Sequence, residues 1–144
     1  MVVTNLVHHR VPFAFRFGGH SPNPFDANIN DSVLASLGKL DKVAYDIKTG
    51  LVIMGPGARW DAVYTERAKF HETVVGGRVL NIGFGGLNLG SGLSYLTDLL
   101  GLICDTVVSY EVRTVYPAGL TLSRCIVTDG MKCWCLYFRE DQNL

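Results

Sequence analysis

Glycine is concentrated in one short stretch of this sequence, and that concentration limits what the chain can fold into. Seven of the residues from Gly76 to Gly92 are glycine, out of 16 glycines in 144 residues. Glycine adopts positive φ readily and leaves its amide N–H uncovered by a Cβ. Successive uncovered N–H groups form a concave nest that holds phosphate oxygens. The stretch therefore predicts either a site for a phosphate or dinucleotide ligand or a tightly packed turn, and glycines alone do not decide between them.

Two familiar phosphate-binding fingerprints are absent from the sequence. The hexapeptide GFGGLN at residues 83–88 has asparagine where a GxGxxG motif needs its last glycine. No GxxxxGK[ST] sequence occurs either, which excludes a P-loop. Any dinucleotide site in this chain is therefore of another design.

A second candidate site is the segment RFGGHS at residues 16–21. It brings a cation (Arg16), two uncovered amides and an imidazole (His20) together directly after the short aromatic strand expected at residues 12–16. A neutral imidazole is a nucleophile near physiological pH. A lone histidine more commonly serves only as a surface or hydrogen-bonding residue, and the neighbouring arginine and glycines weaken that expectation without removing it.

Composition and charge exclude several classes of protein. Apolar residues make up 48% of the chain and charged residues 18%, which is not the composition of a disordered chain. Thirteen basic residues balance thirteen acidic ones, so we expect neither nucleic acid nor a membrane as a partner. The N-terminus has no signal-peptide h-region and no apolar run is long enough to cross a bilayer, which leaves a cytoplasmic location as the default. The four cysteines, which lack CxxC spacing, predict no metal site.

The order of the predicted elements indicates an α+β fold rather than a regular βαβ succession. Alternating and β-branched segments predict strands, and apolar residues at helical spacing predict helices. The expected strands span residues 12–16, 43–47, 51–54, 106–115 and 120–127, and the expected helices span residues 59–70 and 89–100. The second helix depends on the spacing of Leu89, Leu93, Leu96 and Leu100 before Gly101.

Three ordered motifs give the chain a family resemblance. They are FRFGGHSP, KLDKVAYDIKTGLVIMGPGARWDAVY and VVGGRVLNIGFGGLNLGSGLSYLTDLLGLICDTVVSYEV. From about Val11 to Val112 the sequence resembles the PCMH-type FAD-binding domain of the vanillyl-alcohol oxidase superfamily, and within it the berberine-bridge-enzyme-like FAD-linked oxidases of fungal and plant secondary metabolism. The resemblance implies two small α+β subdomains with an extended FAD between them. It divides the chain into a partial FAD-binding domain at residues 1–115 and a diverged tail at residues 116–144.

The resemblance also implies the site residues. His20 would attach covalently to the 8α carbon of the flavin. The residues directly after Gly77 are Arg78 and Val79, so no cysteine stands there to supply a second link. Val112 would offer backbone hydrogen bonds near the adenine end. The implied FAD-binding residues are Arg16, Gly18, Gly19, His20, Ser21, Gly76, Gly77, Arg78, Ile82, Gly83, Gly85, Gly86, Gly90 and Val112. Two positions depart from the family: Phe17 replaces the usual serine, and Ser91 interrupts what is often a glycine triplet.

The implied activity is that of an FAD-linked oxidoreductase. A small organic substrate would lose hydride to the flavin, and O₂ would then accept the electrons. No residue is assigned as the catalytic base, because the substrate domain of the family lies beyond the resemblance; Tyr95, Tyr110 and Glu111 are interpreted as packing and strand residues. The alternative is a truncated, catalytically incomplete flavin-binding or structural remnant, or one half of a protein whose partner chain replaces the substrate domain.

Overall fold

The computed structural model describes residues 2–116 and 119–126, with side chains up to residue 112. Within these residues the chain forms four α-helices, one 3-10 helix and six β-strands. The helices are α1 (Val2–His8), α2 (Trp60–Ala68), α3 (Phe84–Leu89) and α4 (Thr97–Leu100), with the 3-10 helix at Ile103–Thr106. The strands are β1 (Phe13–Arg16), β2 (Val33–Ser36), β3 (Val43–Asp46), β4 (Leu51–Met54), β5 (Ser109–Tyr116) and β6 (Gly119–Ile126).

The strands of the described residues pair in three two-stranded sheets. Strands β1 and β2 are parallel, whereas β3–β4 and β5–β6 are antiparallel. The β3–β4 hairpin follows from its turn: the Asp46 carboxylate accepts hydrogen bonds from the Thr49 hydroxyl at 2.8 Å and the Lys48 amide at 3.0 Å. These hydrogen bonds lower the pKa of Asp46, and Gly50 supplies the φ of +71° that closes the turn. The mixture of strand pairs and helices confirms the predicted α+β class.

Helix α2 carries the hydrophobic core. Trp60 and Val63 are fully buried and pack with Val75 and Ile103. The next residue on this face, Arg67, is also buried; it pairs with Glu72 and lies 3.5 Å above the centre of a tyrosine ring from β3. The expected helix at residues 59–70 is therefore confirmed. No helix in the described part of the chain is long and apolar enough to span a bilayer.

The continuous leucine-rich helix expected at residues 89–100 is wrong. Helix α3 ends at Leu89, and the next helix begins only at Thr97. Between them Ser91 and Gly92 have positive φ, at +75° and +74°, which interrupts a right-handed helix. The bend seats Gly92 against Ile103, whose amide donates to the Gly92 carbonyl at 3.0 Å. Leucine spacing alone did not reveal this bend.

The predicted strand at residues 12–16 leads directly into the RFGGHS segment at residues 16–21. Strand β1 ends at Arg16, whose carbonyl accepts the amide of Leu37 at 2.9 Å. Its partner β2 and the N-terminal helix α1 were not expected from the sequence, because both are short and neither shows a clear period. The pairing with β2 fixes the direction in which the chain enters residues 17–21.

Candidate functional site

Two glycine-containing loops cross each other at backbone contact distance. We call residues 17–21 the His20 loop and residues 76–86 the glycine loop. A Cβ added to Gly18 would lie 2.7 Å from the Cα and 2.8 Å from the amide nitrogen of Gly83, and a Cβ added to Gly83 would meet Gly18 equally closely. Contacts under 3.0 Å are too short for a real Cβ, so both positions require glycine for space. The two motifs predicted from the sequence are therefore brought together.

Phe17 makes a second contact between the loops. A Cβ on Gly85 would lie 2.2 Å from the Phe17 ring, so this ring packs directly on the glycine loop. Phe17 is the position where the sequence departs from the family's usual serine. The larger side chain thus holds the two loops together. In the same loop Gly19 has φ +64°, a conformation that glycine adopts without strain.

Residues 58–60 hold the end of the glycine loop in place. The Trp60 amide donates to the Ile82 carbonyl at 3.1 Å, and the Phe84 amide donates to the Ala58 carbonyl at 2.8 Å. Arg59 forms an antiparallel bridge with Gly83. The Arg59 guanidinium also donates to the Asn81 carbonyl. The loop is therefore fixed on α2 immediately before it crosses Gly18.

The start of the glycine loop packs on two aromatic residues of α2. A Cβ on Gly76 or on Gly77 would lie 2.6 Å from atoms of the Trp60 ring. The Tyr64 hydroxyl donates to the Gly77 carbonyl at 2.9 Å, and burial, with a contribution from Tyr95, raises the pKa of Tyr64. Gly76 and Gly77 are therefore needed to let the backbone pack against the Trp60 ring, whether or not a ligand binds. This part of the loop fits the prediction of a tightly packed turn.

Several amides at the crossing have no acceptor among the residues that the structure describes. They are the N–H groups of Gly18, Gly19, His20, Ser21, Gly77, Arg78, Gly85 and Gly86. A Cβ added to Gly86 would meet nothing within 4 Å, so open space lies next to that residue. Gly77 and Gly85 are buried, whereas Gly19, His20, Ser21, Arg78 and Gly86 are exposed. Exposed donors beside open space fit an anionic ligand such as the diphosphate of FAD. The residues present therefore suit the cofactor that the motifs imply.

The His20 and Ser21 side chains of the His20 loop are exposed. His20 has no protein partner in the described part of the chain, so its imidazole is accessible. The Ser21 hydroxyl donates to Asp26 at 2.7 Å, and the Asn23 side chain donates to the same carboxylate at 2.9 Å. These two hydrogen bonds lower the pKa of Asp26. The Ser21 hydroxyl proton is therefore already engaged by Asp26, whereas its backbone amide has no acceptor among the described residues.

The other predicted site residues lie further from the crossing or are already engaged. The Ile82 side chain packs against the core. The Gly90 amide donates to the Gly86 carbonyl at 3.2 Å, inside the helix end. Val112 lies in β5 opposite Ser123; β5 reaches α3 through a 2.8 Å hydrogen bond from the Asn88 side chain to the hydroxyl of Tyr110. Arg16, directly before the His20 loop, and Arg78, within the glycine loop, are exposed.

Sequence reasoning missed the aromatic residues that support the crossing. Phe17 was noted only as a departure, and Trp60 and Tyr64 only as helix residues. Phe17 directly precedes the Gly18–Gly19 pair, which is a signal that could have identified it, whereas Trp60 and Tyr64 lie more than ten residues before Gly76 and carry no such local signal. Tyr95, interpreted as a packing residue, is 82% exposed, so that interpretation is wrong. The described residues contain no group of histidine, cysteine or acidic side chains that could hold a metal ion.

Two crossing loops with amides that have no acceptor among the described residues lie on an α+β scaffold. Residues 2–123 match the family model of an FAD binding domain. The chain therefore belongs to this family of FAD-binding domains. This match confirms the family resemblance carried by the three motifs.

Curated relatives agree with this assignment. The chain is 48% identical over 101 residues to the FAD-dependent monooxygenase tpcD of Cochliobolus heterostrophus (strain C5 / ATCC 48332 / race O), a match that covers 70% of this chain and 20% of that protein. It is 46% identical over 101 residues to the FAD-dependent monooxygenase FUP4 of Fusarium proliferatum (strain ET1), with the same coverage. The chain thus spans about a fifth of the length of these relatives.

Solved structures agree as well. GilR, an oxidoreductase that catalyses the terminal step of gilvocarcin biosynthesis and was crystallised with pregilvocarcin, matches with a TM-score of 0.78 and 25% sequence identity. The match covers 89% of this chain and 26% of GilR. The fold described above is therefore that of the FAD-binding part of such flavoenzymes.

Proposed function

We propose that this chain holds the FAD of an oxidoreductase that oxidises a small organic substrate by hydride transfer to flavin, in secondary-metabolite biosynthesis. The crossing of the two loops at Gly18 and Gly83, with its uncovered amides, is the observation that supports this most strongly. The names of the fungal relatives support FAD-dependent oxidative chemistry, and the role of GilR in gilvocarcin biosynthesis supports the biosynthetic setting. Because the chain spans about a fifth of the relatives, substrate oxidation is proposed for the protein as a whole.

The amides of the two loops bind the diphosphate in this proposal. The N–H groups of Gly18, Gly19 and Arg78 donate to its oxygens, and the absence of a Cβ at Gly86 leaves room for the bound nucleotide. Hydrogen bonds to a charged acceptor contribute more than neutral ones, about 1.5–3 kcal/mol each. Several such donors are enough to orient the cofactor without a charged side chain at the crossing.

His20 is proposed as the covalent attachment point. An imidazole nitrogen of His20 would bond to the 8α carbon of the flavin, with a hydrogen of that carbon and the N–H hydrogen leaving as protons. O₂ would accept the two electrons released and become hydrogen peroxide. The exposure of His20 leaves its imidazole accessible for this bond. When bound, FAD supplies the hydride acceptor that amino-acid side chains lack.

Addition of FAD to the purified chain tests the proposal. We expect saturable quenching of flavin fluorescence with one FAD bound per chain. Subsequent addition of substrate under anaerobic conditions distinguishes an active enzyme from an incomplete one, since flavin that binds but is never reduced indicates the catalytically incomplete alternative. Hydrogen peroxide formed in proportion to substrate identifies O₂ as the acceptor. A folded chain that leaves flavin fluorescence unchanged contradicts the proposal.

Replacement of Gly86 with alanine tests whether the nucleotide lies against Gly86 without disturbing the packing of the protein. The added methyl meets no protein atom within 4 Å, and alanine in a helix is about 0.5–1 kcal/mol more favourable than glycine. We therefore expect a slightly raised thermal midpoint together with FAD binding weakened by about tenfold, because the methyl occupies the nucleotide's space. Differential scanning fluorimetry and fluorescence titration measure the two effects. Unweakened FAD binding would show that the nucleotide does not lie against Gly86.

A further inference from the structure

Tyr64 reaches both glycines that open the glycine loop. Its hydroxyl donates to the Gly77 carbonyl at 2.9 Å, and a Cβ on Gly76 would lie 2.6 Å from the same hydroxyl oxygen. The Tyr64 ring is itself packed beside Trp60, with ring centroids 6.0 Å apart. The hydroxyl is thus held in position by α2 and touches the backbone on the side of the loop that faces the core.

The hydrogen bond to Gly77 orients the following amide. The peptide between Gly77 and Arg78 is trans, so its C=O and N–H point in opposite directions. With the carbonyl fixed toward Tyr64, the Arg78 N–H points away from α2, where Arg78 is exposed. This N–H has no acceptor among the described residues.

We propose that Tyr64 is a positioning residue for the cofactor: it locks the Gly77–Arg78 peptide so that the Arg78 N–H is presented to the FAD diphosphate. This inference rests on the proposed function. Burial raises the pKa of Tyr64, so its hydroxyl remains a donor at neutral and mildly alkaline pH. Without the Tyr64 hydroxyl the Gly77–Arg78 peptide plane can rotate. Part of the free energy of FAD binding is then used to return this peptide to the orientation that presents the Arg78 N–H.

Tyr64→Phe removes the hydroxyl and keeps the ring that packs on Trp60, so the variant is expected to fold. We expect it to weaken FAD binding about two- to twelvefold, the range that loss of one hydrogen bond of about 0.5–1.5 kcal/mol produces. Tyr95→Phe is the matched control, because Tyr95 is 82% exposed, and it is expected to bind FAD like the wild type. Fluorescence titration of the three proteins gives the dissociation constants.

Amide NMR with inorganic pyrophosphate separates positioning from a general loss of structure. In the wild type we expect the amide signals of Gly19 and Arg78 both to move as pyrophosphate is added. In Tyr64→Phe the Arg78 response is expected to fall to less than half while the Gly19 response persists. A merely structural role would reduce both responses alike, and that result overturns the proposal.

The remaining outcomes are also distinct. If Tyr64→Phe binds FAD as tightly as the wild type, the positioning role is overturned and the proposed function stays intact. A folded wild-type chain that binds neither FAD nor pyrophosphate overturns the proposed function, and the positioning role with it.

Discussion

Gly83→Ala is expected to weaken FAD binding about five- to 140-fold. The added Cβ would lie 2.7 Å from the Gly18 Cα, an atom of the backbone that cannot move aside as a flexible side chain would. Gly83 has φ −67° and ψ 134°, which alanine adopts readily. The effect therefore comes from separation of the two loops, and overpacking of this kind costs about 1–3 kcal/mol. Fluorescence titration with FAD measures the loss.

Gly38→Ala is the control for Gly83→Ala. A Cβ at Gly38 would approach only the Ser36 hydroxyl, at an ordinary 3.6 Å, so this variant is expected to bind FAD normally. Gly18→Ala places the clash on the other loop and is expected to reproduce the loss seen with Gly83→Ala. Wild-type affinity in Gly83→Ala would mean that the crossing does not shape the cofactor site.

His20→Ala is expected to abolish acid-stable flavin. Flavin bonded to the imidazole stays with the protein after acid precipitation, whereas FAD held only by hydrogen bonds passes into the supernatant. Because the His20 side chain is exposed and supports no other residue among those described, we expect the fold to be unchanged and noncovalent FAD affinity to change only a few-fold. Flavin fluorescence of the acid pellet is the measurement.

His9→Ala is the matched control for the covalent bond, since His9 is also exposed but lies outside both loops. Its acid pellet is expected to retain as much flavin as the wild type. Two results would contradict covalent attachment through His20: acid-stable flavin that persists in His20→Ala, or a wild-type protein that releases all of its flavin to acid.

Local patterns in the sequence predicted the elements that surround the site. The strand ending at Arg16, the β3–β4 hairpin and the helix carrying Trp60 were all confirmed, because each is encoded by a short-range period or a turn residue. The false helix through Leu93 shows the limit of this reasoning. Its leucines have helical spacing, but a long-range contact between Gly92 and Ile103 requires a bend that no period within the segment reveals.

The candidate site could be predicted only in part, because its motifs are local but the contacts between them are not. Each glycine motif was visible by itself, and their shared place in the FAD-binding fold came from the resemblance. The contact between Gly18 and Gly83, and the packing of Phe17 on Gly85, join residues more than sixty positions apart. Such pairs have no signature in a single sequence. The division at residues 115 and 116 stays a prediction, and most of the tail, residues 127–144, lies outside the described residues.

The amide signals of the two loops during titration with FAD test the central claim most directly. If the loops bind the diphosphate together, the signals of Gly18 and Gly19 in the His20 loop and of Gly86 in the glycine loop move along one common saturation curve, while that of Gly38 stays in place. Loop signals that stay in place while FAD saturates the protein, or that follow different curves, would contradict the account.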